Sequence, residues 1–78
     1  MPERLWAIII PINDGQKETL YKSLKKQYGE KILSMDYTGD FNPNVILRVK
    51  CDDIAETRRK IIEITHLHPT IYPISEEL

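Results

Sequence analysis

Cysteine is almost missing from this chain. Cys51 is the only one, so no disulfide can staple the chain to itself, and a lone thiol suits a reducing compartment better than a secreted scaffold. Long hydrophobic runs are missing too. The longest, Leu5 to Ile12, falls far short of a membrane span and has no small-residue cleavage site after it. Charge of one sign is not in surplus: eleven basic side chains face twelve acidic ones, for a net charge of −1. A free-standing nucleic-acid binder usually carries a basic excess, because neutralising phosphate supplies most of its affinity. No catalytic motif, metal-ligand spacing or cofactor fingerprint occurs, and no repeat, linker or low-complexity tract interrupts the chain. The expectation is one cytoplasmic domain over residues 1–78, without cofactor or metal and with neither nucleic acid nor membrane as partner. A domain of this length hides only about 60% of the surface its unfolded chain exposes. A partner subunit is one common way to close that gap.

What is present reads as a sequence of short elements. Arg4 to Ile12 is almost wholly apolar, rich in β-branched isoleucine, and stops at Asn13-Asp14-Gly15. That pattern predicts a strand. Asn13 or Asp14 can cap a helix from Gln16 to about Tyr28, in which Leu20, Leu24 and Tyr28 recur every four residues among lysines. Gly29 then stands where a left-handed residue ends a helix. From Lys31 to Thr38, Leu33, Met35 and Tyr37 alternate with Ser34, Asp36 and Thr38, which predicts a second strand. The turn formers of Gly39 to Asn44 read as a hairpin loop. In the third strand Val45, Leu47, Val49 and Cys51 alternate with Ile46, Arg48 and Lys50. Asp53 with Glu56 three positions on is a capping-box pattern, opening a second helix to about Thr65 with Ile54, Ile61, Ile62 and Thr65 on one stripe. A last strand, Thr70 to Ser75, contains Pro73.

The order βαββαβ implies an α+β, ferredoxin-like two-layer sandwich, with a four-stranded antiparallel sheet and both helices on one face. In that arrangement the first and third strands are central. Proline is tolerated at an edge and not at a centre, which agrees with Pro73 in the last strand.

Such a sandwich leaves one sheet face without helices. The third strand divides clearly between its two faces, but the first does not: Trp6, Ile8, Ile10 and Ile12 alternate with Leu5, Ala7, Ile9 and Pro11. Whichever set lies under the helices, the other is a strip of apolar surface at the middle of the bare face. Leaving it in water forgoes about 25 cal/mol per Å² and favours association. The expected homodimer interface is Trp6, Ile8, Ile10, Ile46 and Tyr72. The plainer reading is that a loop or tail covers the strip. An RNA-stacking platform needs aromatics on both central strands, and the third strand has none.

Other candidates each carry a plain reading. His66 and His68 form an H-x-H pair, but zinc needs at least three protein ligands, and a solvated loop is the simpler account. Cys51 ends a core-facing run as a small hydrophobe. Asp52-Asp53 caps a helix. Asp36 and Asp40 are too loosely linked to specify magnesium. Arg58-Arg59-Lys60 and the lysines of the first helix are a solvated face. Thr38-Gly39-Asp40 is the most suggestive stretch: Gly39 lets backbone amides approach a small ligand, and Asp40 offers a carboxylate to an ammonium group. A plain hairpin turn is its alternative.

From Met35 to Ile64, "MDYTGDFNPNVILRVKCDDIAETRRKIIEI" resembles the middle of the small-molecule-sensing domain of Lrp/AsnC-type regulators, which is related to ACT domains. The shared features are a glycine–acidic loop, an aliphatic third strand and an acidic start to the second helix. The resemblance implies a stand-alone module that dimerises through its sheet and binds an amino acid or similar effector, with Gly39 and Asp40 lining the site. The chain differs in carrying Phe41-Asn42-Pro43-Asn44 where that family passes quickly into the strand, and these residues contain no helix-turn-helix. Two other classes stay open. The small CRISPR-associated adaptation nucleases share the element order and a late Ile71-Tyr72-Pro73-like strand, but carry an acidic residue where this chain has Ile10-Pro11-Ile12. A protein-partner inhibitor or adaptor would need only a surface.

Overall fold

The computed structural model describes residues 3–12, 14–38 and 44–74. Its elements run β1 (Arg4–Ile10), α1 (Asp14–Tyr28), β2 (Ile32–Thr38), β3 (Asn44–Cys51), α2 (Ile54–Thr65) and β4 (Thr70–Pro73), with a 3₁₀ turn at Gly29–Lys31. The sheet order is β2-β3-β1-β4, and every neighbouring pair is antiparallel. This is the ferredoxin-like α+β sandwich, with β3 and β1 at its centre and Pro73 at an edge.

The core lies between the sheet and the helices. Ile8, Ile10, Ile12, Val45, Leu47 and Val49 meet Leu20 and Leu24 of α1 and Ile61 of α2, all of them buried. Both helices therefore cover the same sheet face. Gly29 has a φ of +54°, the left-handed conformation that lets the chain leave α1. Asp53 caps α2, its carboxylate accepting from the Glu56 amide at 3.1 Å. The reciprocal half of the capping box is not made, because Glu56 turns its carboxylate to Arg59. At the other end His66 takes φ 60°, ψ 23° and returns its amide to the Ile62 carbonyl.

Two elements depart from simple alternation. In β2 the pairing shifts between Ile32 and Ser34, so a bulge absorbs one residue. Ile32 rather than Leu33 then packs against the core, and Leu33 is left 51% exposed. In α2 the buried line is Thr57, Ile61 and Thr65, with Ile54 and Ile64 packed beside it; Ile62 is only half-buried. Thr57 earns its place through its hydroxyl, which pairs with Tyr28 Oη of α1 at 2.8 Å and donates to the Asp53 carbonyl at 3.3 Å. Thr65 likewise satisfies itself on the Ile61 carbonyl at 2.8 Å, the back-bond open to a hydroxyl one helical turn on.

Candidate binding surface

The parity of β3 decides which side of the sheet is open. Val45, Leu47, Val49 and Cys51 are buried under the helices, so Ile46, Arg48 and Lys50 face away. Directly opposed residues in an antiparallel pair share a face. Ile46 pairs with Ile9, Arg48 with Ala7 and Lys50 with Leu5; Ala7 pairs in turn with Tyr72, and Ile9 with Thr70. On the β2 side Arg48 pairs with Ser34 and Ile46 with Asp36.

The open face is thus a central column of Leu5, Ala7 and Ile9, widened by Ile46 on one flank and Tyr72 on the other. Ile74 extends it, its amide donating to the Leu5 carbonyl at 2.9 Å. Arg48 and Lys50 stand beside this strip, and Asp36 lies beyond Ile46 on β2. Tyr72 is 52% exposed; covering that half of a 150–250 Å² aromatic side chain is worth about 2 kcal/mol.

The expected interface is corrected in its β1 members. Ile8 and Ile10 are fully buried in the core and Trp6 packs on the same helix-covered side. None of these can lie on the open face. Their places are taken by Ala7, Ile9 and Leu5. Ile46 and Tyr72 lie on the open face as expected. The first strand alone could not decide this, since both its faces are apolar; only pairing with β3, whose faces differ, does so.

Gly39 and Asp40, the expected ligand loop, lie outside the described residues. His66 closes α2, while the ring Nδ1 of His68 sits 3.3 Å from the Arg58 guanidinium. Among the described residues no group of three or more His, Cys, Asp or Glu side chains comes together as a metal site. Cys51 is buried, and burial pushes its thiol pKa up. Arg59, at the middle of that basic run, is engaged by Glu56 and Glu63 on the solvent side of α2.

One feature was not legible as a site. A groove of about 410 Å³ runs between α1 and β2, lined by Lys17, Glu18, Tyr21, Ile32, Leu33 and Met35 among others. It brings together Tyr21 and Leu33, both large exposed hydrophobics, and Lys25 Nζ stands 5.4 Å from the Tyr21 ring. The bulge creates it by turning Leu33 outward. No protein-family model, curated protein or solved structure matches this chain. Among the described residues no helix is long and apolar enough to cross a membrane.

Proposed function

We propose that this chain is a small non-enzymatic regulatory module of the cytoplasm that works as a homodimer, joined through the open face of its sheet. The observation that carries the reading is the column Leu5, Ala7 and Ile9, which no element of the described chain covers, at the centre of a face flanked by Ile46 and Tyr72. An isologous contact of this kind sets each apolar column against its copy. It leaves Arg48 and Lys50 one strand away from the column and Asp36 at the β2 edge, where opposite charges of the two copies can meet.

The ligand attached to this reading is a small molecule such as an amino acid, held at the loop of Gly39 and Asp40. Its support is the resemblance of residues 35–64 to amino-acid-sensing domains.

Sedimentation at tens of micromolar tests the dimer. Ile9→Lys, which plants a charge at the middle of the column, is expected to reduce the assembly while leaving the circular dichroism of the fold intact. An assembly unchanged by both Ile9→Lys and Tyr72→Asp removes the reading. A thermal-shift series over the amino acids, repeated on Asp40→Asn, tests the ligand: one member should raise the melting temperature of the wild-type chain and lose its effect on the variant.

A further inference from the structure

The two edges of the sheet are built differently. β4 is four residues long and contains Pro73, and a short strand with a proline is how natural edges are kept from pairing. β2 is seven residues long, Ile32–Thr38, and holds neither proline nor lysine. Its bulge lies at the Ile32 end, and from Ser34 to Thr38 it pairs residue for residue with Arg48 to Asn44. Among the described residues no strand pairs with the outer side of that stretch.

Three further observations lie along it. The groove between α1 and β2 places the exposed Leu33 and Tyr21 beside the edge. Ser34 Oγ is shut off from solvent with no hydrogen-bond partner. Asp36, an exposed acid, is two residues further on and shares the open face with Ser34, since their partners Ile46 and Arg48 both lie there.

We infer that the free edge of β2 is a self-association site, on which β2 of a second copy adds antiparallel about a twofold axis through Met35. The choice of register follows from charge. A strand centred on Asp36 sets two carboxylates in direct opposition, which destabilises a sheet pair. A strand centred on Met35 sets Ser34 of each copy opposite Asp36 of the other, so each carboxylate faces a neutral residue and not its own copy. The same register lays Tyr37 of the second copy opposite Leu33, covering the apolar side of the groove. The occupant is therefore another copy of this chain, and the contact is independent of the open face, so that it joins open-face dimers edge to edge into a larger assembly.

Sedimentation of the intact chain in an Ile9→Lys background reads the edge alone, with Tyr72→Asp as a second background should the first unfold. Two subunits are expected in either background. Adding Ser34→Asp, which opposes two acids twice across the axis, is expected to weaken the pair by at least about tenfold, and adding Asp36→Lys to that variant is expected to restore it. A single subunit in both folded backgrounds overturns the inference. So does a mass indifferent to Ser34→Asp, or a charge swap that fails to rescue. If neither Ile9→Lys nor Tyr72→Asp lowers the wild-type assembly but Ser34→Asp does, the open-face reading fails and the edge contact stands.

Discussion

Thr57 is a polar side chain fully buried between two helices and a sheet, and removing its hydroxyl should be costly in a defined way. Thr57→Val keeps shape and burial. It deletes the 2.8 Å contact with Tyr28 Oη and the bond to the Asp53 carbonyl. A net hydrogen bond contributes about 0.5–1.5 kcal/mol, and a stranded buried partner costs about 1–3. Tyr28 is only half-buried, so water can partly replace what it loses, and the expected cost is about 1–2 kcal/mol. Tyr28→Phe removes the same contact from the other side but leaves Thr57 its carbonyl acceptor, so it should cost less, about 0.5–1 kcal/mol. The double variant should then be more stable than the sum of the singles predicts, by about 0.5–1 kcal/mol of coupling. Urea unfolding of the four proteins measures this, with an unchanged denaturant slope showing that the unfolded state is not altered. Coupling of less than about 0.3 kcal/mol, or a neutral Thr57→Val, would refute the account of α1 and α2 as joined through this pair.

Adjacent isoleucines of β1 should behave oppositely. Ile8→Ala opens the core and is expected to cost about 2–5 kcal/mol, whereas Ile9→Ala, on the open face, should cost much less in dilute, dissociated protein; both are read by urea unfolding. His66 holds a φ of 60°, a conformation that costs an L-residue roughly 1–2 kcal/mol. His66→Gly should therefore raise stability by about 0.5–1 kcal/mol after the glycine's own entropy is counted. The raised thiol pKa of Cys51 means that the folded state holds its proton more tightly than the unfolded one. Its contribution is complete below the ordinary thiol value near 9.0 and is lost as pH rises through the folded value. Stability should decline on that alkaline limb, and Cys51→Ala should flatten it. Glu56, held below the usual carboxylate range by hydrogen bonding to Arg59, acts in the other direction. Its contribution is present above the ordinary carboxylate pKa and fades as pH falls through the folded one, so Glu56→Gln should flatten the acid limb of the same titration.

The fold was readable because local signals agreed with one another. Four-residue spacing placed Leu20 and Leu24, alternation placed Val45 to Cys51, Asp53 marked the start of α2, and Pro73 pointed to an edge. What was not readable depended on partners. The bulge at Leu33 arises from the registry of β2 on β3, and alternation within β2 alone assigns Leu33 to the wrong side. Thr57 looks like a surface residue beside Arg58 and Arg59 until the fold brings Tyr28, 29 positions earlier at the end of α1, against it. The open-face residues of β1 were undecidable for the same reason: the information sits in β3.

The alignment of β1 needs a safeguard of its own. Ordinarily a strand resists sliding because a one-residue slip would drown its greasy side chains. Here a slip would merely exchange one set of aliphatics for another, so greasiness keeps no record of alignment. Fidelity then falls to volume: Trp6 lies directly opposite Val49 and Pro73, and the slipped strand would offer Leu5 or Ala7 to that berth. A single bulky ring thus serves as the notch that keeps an otherwise featureless ruler from being read one division out.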